Sequence, residues 1–242
     1  MKYMGSKSRH AKEIIPIIMR KHKPNMYYIE PFVGGGNVID KIPCKKRIGC
    51  DSNKYIIALL SKIARGDFYF LDCTIEKDEY DNVRKSSGEF DDALVGWVAH
   101  GCSYNGKWFG GLAGTITTKE GNIRNYQDEC KRSLIKQSVG LAGVVLHHKS
   151  VFDIGTLKGK FTIYCDPPYE GTTRYKDDFN HDNFWQWCRD KVTQGHDVYV
   201  SEYKAPSDFV CIWEKGVNSS LTKDTGGKRA IERLFVHESQ NS

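Results

Sequence analysis

A chain of 242 residues, 39% hydrophobic and 27% charged, is long enough for one sizeable α/β domain with an insertion and is no small stapled scaffold. Its eight cysteines include no Cys-x-x-Cys pair and no histidine at zinc-ligand spacing, so they read as reduced thiols and no metal site is expected. With a formal net charge of +6, no amino-terminal hydrophobic region and no run near about 18 apolar residues, the sequence predicts a cytoplasmic protein with no membrane partner, and favours a polyanionic one without requiring it.

The first 23 residues carry Lys2, Lys7, Arg9, Lys12, Arg20, Lys21 and Lys23 against the single acid Glu13. Some of these form a solvated helix face, and Arg9 is a candidate contact to nucleic acid. Residues 8 to 22 place Ile14, Ile15, Ile17 and Ile18 in a helical pattern, in which Pro16 predicts a late start or a break. Tyr27-Tyr28-Ile29 reads as a strand running into Glu30-Pro31-Phe32-Val33-Gly34-Gly35-Gly36-Asn37, and residues 38 to 42 could turn once or twice as a helix. Three successive glycines suit a cofactor-binding loop and an ordinary tight turn alike. They lack the third small residue of a dinucleotide fingerprint, which disfavours a nicotinamide or flavin site. The next strand, Arg47 to Cys50, ends in Asp51, where an acid can accept both hydroxyls of a ribose. Capping of the helix 53 to 65 by Asp51 or Ser52 explains the same residues. Ile56, Ile57, Leu59, Leu60 and Ile63 turn that helix toward a sheet.

Residues 75 to 140 change character. A helix is expected around Asp91 to Cys102, followed by Tyr104-Asn105-Gly106-Lys107-Trp108-Phe109-Gly110-Gly111. Here Lys107 suits a phosphate and Asn105 or the rings suit bases, while burial of Trp108 and Phe109 as core is an equal alternative. Lys119, Arg124, Lys131, Arg132 and Lys136 extend the basic character. A segment from Val144 to Phe152 then closes on Asp153. Its adjacent His147 and His148 point to different sides of an extended chain, which disfavours metal ligation.

The run Phe161-Thr162-Ile163-Tyr164-Cys165 reads as a short buried strand that delivers Asp166-Pro167-Pro168-Tyr169 at its carboxyl end, where open α/β sheets place ligands. The two prolines stiffen the backbone and leave a carbonyl free to accept. Carboxylate and carbonyl can then grip a planar amine while the phenol stacks on its ring, as suits the exocyclic amine of a nucleobase; an ordinary turn after a strand is the plain alternative. Glycine loop, Asp51 and Asp153 repeat the same strand-end geometry. Arg174 and Lys176, in the polar loop 170 to 179, are candidates for phosphate or base contacts or part of an ordinary connection. A helix from Asp182 to Thr193 and strands from Asp197, Phe209 and Ala230 complete the pattern, the last two joined as a hairpin through residues 222 to 229. Ser201-Glu202-Tyr203 falls at a strand end without an assignable role.

The ordered set Lys2-Tyr3-Met4-Gly5-Ser6-Lys7, Glu30 to Gly36, Asp51-Ser52-Asn53, Phe152-Asp153 and Asp166-Pro167-Pro168-Tyr169 resembles the Dam-like DNA adenine methyltransferases, in the α-type motif order. The resemblance implies a Rossmann-like methyltransferase sheet with an antiparallel closing strand, in two parts (1–74 and 141–242) around a target-recognition insertion at 75–140. It implies S-adenosylmethionine as cofactor, held by Tyr3, Gly5, Lys7, Glu30, Phe32, Gly34, Gly35 and Gly36, with Asp51 on the ribose, Phe152 and Asp153 on the adenine, and Asp166 also among the cofactor-binding residues. Asp166, Pro167, Pro168 and Tyr169 would be catalytic on an adenine flipped out of double-stranded DNA, with Arg9, Asn105, Lys107, Trp108, Arg124, Arg174 and Lys176 as DNA contacts. The competing classes are an amino-methyltransferase acting on cytosine or RNA, a protein-glutamine methyltransferase, whose relatives usually show Asn-Pro-Pro-Tyr, and a non-catalytic DNA-binding module. Whether a restriction endonuclease accompanies the chain, and its oligomeric state, stay open.

Overall fold

The computed structural model describes residues 1–170, 179–217 and 230–241. In chain order the elements are α1 (Ala11–Ile18), β1 (Tyr27–Glu30), β2 (Arg47–Asp51), α2 (Lys54–Ala64), α3 (Lys77–Lys85), α4 (Asp92–Gly96), β3 (Thr115–Thr117), β4 (Ile123–Asn125), α5 (Tyr126–Leu141), β5 (Val145–His148), β6 (Phe161–Cys165), α6 (His181–Thr193), β7 (Asp197–Glu202), β8 (Phe209–Val217) and β9 (Ala230–His237). Seven strands form one sheet in the order β5-β2-β1-β6-β7-β9-β8, and β3 and β4 make a separate antiparallel pair. The β2–β5, β1–β6 and β6–β7 pairings are parallel, and β9 runs antiparallel to both β7 and β8. A parallel sheet closed by an antiparallel strand is the Rossmann-like methyltransferase architecture that the motif order implied. Among the described residues no helix is long and apolar enough to cross a membrane.

The chain divides into two compact units, Met1–Lys12 with Val33–Lys149 and Glu13–Phe32 with Ser150–Ser242. In the first, Ile56, Leu59, Leu60 and Ile63 are fully buried along one face of α2, as their spacing dictates. The cap of this helix is Asn53 rather than Asp51 or Ser52: its side chain accepts from the amides of Tyr55 and Ile56. Asp51 is thereby released for other partners. Gly96 of α4 approaches α2 so closely that a Cβ would stand 2.3 Å from the Tyr55 carbonyl oxygen. After Gly96 the helix widens into a π turn over Trp97–Gly101, where the Cys102 amide reaches back to the Trp97 carbonyl at 3.1 Å. The helix expected at 91–102 therefore forms, with one residue more per turn at its end.

In the second unit every residue of β6 and β7 is buried, the pattern of strands covered on both faces. Phe184, Trp185, Trp187 and Cys188 of α6 pack inward. Cys165 is a core thiol beside Cys188, and burial is the main reason its pKa is pushed up.

Residues 38–42 turn once, as the 3-10 helix Ile39–Lys41, within the one or two turns expected. Two local expectations need correction. Pro16 lies inside α1 without interrupting it, though the helix ends two residues later. The segment from Val144 does not stay extended to Phe152: β5 ends at His148, and Val151–Asp153 is a 3-10 turn closed by a capping box with Ser150. The hairpin proposed through residues 222 to 229 has its turn outside the described residues, although its strands β8 and β9 pair from Phe209↔His237 to Val217↔Ala230.

Candidate active site

Because β1, β6 and β7 are parallel neighbours in the second unit, their carboxyl ends lie at one edge, which brings Glu30, Asp166 and Glu202 to the same rim. Asp166 and Tyr169 are half-buried, with Pro167 buried between them. The Tyr169 hydroxyl donates to Glu232 Oε2 of β9 at 2.8 Å, and its ring meets Tyr203 edge-on at 4.5 Å and 76°. Beneath them the Tyr164 and Ser201 hydroxyls are 2.8 Å apart, and the Tyr28 hydroxyl donates to Glu30 at 2.7 Å. Burial pushes the Tyr28, Tyr164 and Tyr169 phenols well above their ordinary value, and nearby Glu30 for Tyr28 and Asp166 for the other two push the same way. These tyrosines remain neutral and able to donate.

Glu202, the unassigned acid of the sequence, is 2% exposed and holds the chain on both sides of the rim. One carboxylate oxygen accepts the amide of Glu170, directly after Tyr169, at 3.3 Å, and the other accepts the amide of Tyr203 at 2.7 Å. Removing the side chain strands two amides. Glu202→Ala should therefore lower the unfolding free energy by about 1–3 kcal/mol, read from urea titration, and an unchanged midpoint would remove Glu202 from the frame.

Two further residues of this unit, Phe32 and Phe152, share a neighbour. The Phe32 ring lies 5.6 Å from Phe179 and from Phe184, while Phe152 lies 5.8 Å from Phe179. Phe152 is exposed and offers a ring face to a planar ligand. Asp153 accepts from the Ser150 amide, so its carboxylate is already engaged in the cap.

The first unit carries the glycine loop. Gly34 and Gly36 have positive φ (46° and 66°), and the Tyr3 ring lies directly on the loop: a Cβ on Gly35 would come within 2.6 Å of the Tyr3 Cβ. The bare backbone thus admits Tyr3. On the other side Gln137 of α5 donates to the Gly35 carbonyl at 2.9 Å, and Tyr3 in turn meets the buried His100 ring at 4.9 Å. Gly5 has φ 82°, and Lys7 is buried in the 3-10 turn Lys7–Arg9. Asp51, at the carboxyl end of β2, accepts the Gly34 amide at 2.9 Å with one oxygen and the Asn53 amide at 2.9 Å with the other. Burial raises its pKa, against the lowering effect of those two amides and of His148. Each carboxylate oxygen keeps a lone pair, so the group fits a vicinal diol such as that of a ribose.

Among the DNA-contact candidates, Arg9, Asn105 and Lys107 are exposed, and Asn105 adopts the left-handed conformation at φ 55°. Trp108 is neither core nor free: it is half-buried, 5.4 Å from the Tyr55 ring and 5.2 Å from His100. Arg124 makes a two-pronged contact to Glu129, both distances 2.8 Å, and this pairing holds the Glu129 carboxyl down to about 2. Arg174 and Lys176 lie outside the described residues. Sequence reasoning missed Glu232, His100 and Gln137. None of these carried a local signal: Glu232 stands beside Arg233 in a strand that also ends in His237.

A family model described as D12 class N6 adenine-specific DNA methyltransferase matches residues 3–211. Among solved structures, the chain is similar to a Haemophilus influenzae protein described as a methylase, at 10% identity and a TM-score of 0.35, covering 94% of this chain and 87% of that one. It is also similar to a protein described as a methyltransferase complexed with SAH, at 11% identity and a TM-score of 0.38, covering 98% of this chain and 54% of the other, so that it spans about half of that protein. No curated protein matches it. The match over most of its length shows that the chain belongs to the D12 class of N6 adenine-specific DNA methyltransferases, which take their methyl group from S-adenosylmethionine.

Proposed function

We propose that the enzyme acts on double-stranded DNA at a specific site, methylating the 6-amino group of an adenine swung out of the helix. The observation that carries this reading is the Asp166-Pro167-Pro168-Tyr169 run at the end of buried β6, with Tyr169 tied at its hydroxyl and at its ring edge. The cofactor supplies the methyl group as an electrophile on a sulfonium.

The work left to the protein is alignment and electrostatics. Asp166 and the Pro167 carbonyl accept the two hydrogens of the amine, turning its lone pair out of conjugation. The carboxylate then faces the positive charge that develops on nitrogen. Extruding a base costs about a few kcal/mol, and stacking on the Tyr169 ring offsets part of this. For the cofactor, Asp51 takes the ribose hydroxyls, Phe152 packs on the adenine with Asp153 beside it, and Tyr3, Gly5, Lys7, Glu30, Phe32 and Gly34 to Gly36 receive the methionine end. The insertion at 75–140 reads the target: Asn105 and Trp108 offer base contacts, and Lys107, Arg124 and Arg9 offer phosphate contacts. Arg124 must leave or share Glu129 to do so.

Incubating the protein with tritiated S-adenosylmethionine and, in parallel, duplex DNA, single-stranded DNA, RNA and a protein mixture tests the substrate class. Label should enter duplex DNA, and digestion to nucleosides should yield N6-methyldeoxyadenosine by mass spectrometry. Label confined to RNA, or recovered as N4-methyldeoxycytidine, would overturn the proposal.

A further inference from the structure

The base-stacking role given to Tyr169 requires a fixed ring plane, and a tyrosine has two side-chain torsions to fix. The structure supplies both constraints from outside the tetrapeptide. At the far end of the ring the hydroxyl donates to Glu232 Oε2 at 2.8 Å. At its side Tyr203 makes an edge-on contact at 4.5 Å. The next residue of β9, Arg233, points to the opposite side of the strand, as strand alternation demands. It donates to the Tyr203 carbonyl at 2.7 Å and to Glu214 at 3.2 Å. Successive residues of the closing strand therefore hold the two tyrosines, Glu232 by a hydroxyl and Arg233 by a backbone carbonyl. Glu202 completes the frame by binding the amides of Glu170 and Tyr203.

We propose that Glu232 is a positioning residue for methyl transfer, which sets the plane of Tyr169 by accepting its hydroxyl. This inference rests on the reading of Tyr169 as the group that stacks on the target base. An anionic acceptor suits the task, because a hydrogen bond to a charged group is shorter and stronger than one between neutral groups. Glu232 does not touch substrate itself. Its effect runs through the phenol, and so do the consequences of removing it.

The test compares Glu232→Ala, Glu232→Gln, Tyr169→Phe and the double variant Tyr169→Phe/Glu232→Ala. Initial rates on methylation-free duplex DNA with tritiated S-adenosylmethionine are measured, with cofactor affinity by calorimetry. Loss of the hydrogen bond should lower kcat by about tenfold in Glu232→Ala and equally in Tyr169→Phe. The double variant should be no worse than either single one, since both remove the same contact. Glu232→Gln, which still accepts, should recover kcat to within about threefold, and cofactor affinity should stay within about twofold throughout. Multiplying losses in the double variant would overturn the inference, and so would a normal kcat in either Glu232→Ala or Tyr169→Phe. Should Glu232→Ala fail to fold, Glu232→Gln set against Tyr169→Phe decides the matter: a normal rate in Tyr169→Phe, or a Glu232→Gln as slow as Tyr169→Phe, overturns the inference. Tyr169→Ala separates the two levels: full activity in that variant would remove the stacking reading itself, whereas a crippled Tyr169→Ala beside a normal Glu232→Ala would remove only the role of Glu232.

Discussion

Asp166→Ala is expected to lower the rate of methyl transfer by about a thousandfold or more while cofactor affinity changes little. The carboxylate stands at the carboxyl end of the fully buried β6, held by two prolines that cannot relax away from it. In the proposed reaction it does two things at once: it accepts a hydrogen from the amine and places negative charge beside a nitrogen that becomes cationic. Alanine removes both. Asp166→Asn keeps an acceptor and loses the charge, so its rate should fall by about ten- to a hundredfold, between the wild type and alanine. Single-turnover measurements with tritiated cofactor at saturating enzyme isolate the chemical step. Near-normal turnover of Asp166→Ala would falsify its role in catalysis.

Asp51→Ala should weaken S-adenosylmethionine binding by about a hundredfold, the loss of two charge-assisted hydrogen bonds to the ribose at roughly 1.5 kcal/mol each. The same carboxylate fastens the Gly34 amide and the Asn53 amide, both at 2.9 Å, so the substitution also loosens the glycine loop against α2. Calorimetric titration checks the affinity; a dissociation constant within about threefold of wild type would remove Asp51 from the ribose site. The pH dependence has a definite sign. Only the ionised carboxylate accepts from both hydroxyls, and burial raises its pKa above the ordinary 3.8. Affinity should therefore begin to fall at a higher pH on acidification than an exposed aspartate would give, and Asp51→Asn should abolish that dependence.

What the sequence made legible was set by the strength of local signals. The all-apolar run of β6, the strongly periodic α2, and Asp51 and Asp166 at strand ends have short-range causes, and the structure follows them, whereas Asp153 falls in a 3-10 turn after β5 has ended. Where the outcome depends on which neighbour wins, the reading failed. Asp51, Ser52 and Asn53 are all good caps, and Asn53 serves because the helix starts at Lys54, which leaves Asp51 to accept the Gly34 amide 17 residues earlier. A glycine triplet by itself does not say which side chain packs on it, and here the Tyr3 ring does. Glu202 and Glu232 are 30 residues apart and converge on neighbouring tyrosines only because β9 pairs antiparallel with β7. Long-range pairing of that kind leaves no trace in a local window. Pro16 was overestimated as a helix breaker, since an eight-residue helix has few interior hydrogen bonds to lose.

The wide turn at Trp97–Gly101 has a consequence for how this chain can vary. It inserts a residue into the helix, and its space is filled by the Trp97 indole lying over Gly101, where a Cβ would come within 2.1 Å of the ring. Downstream, the chain leaves the helix rotated by about 100° from where a regular α-helix would release it. The hook of Trp108 on Tyr55 and His100, and through His100 the seat of Tyr3, thus depends on counting rather than on composition. Length changes between Trp97 and Gly106 are the edits this part of the molecule tolerates least, whereas the exposed turn 118–122 between β3 and β4 has more room to vary.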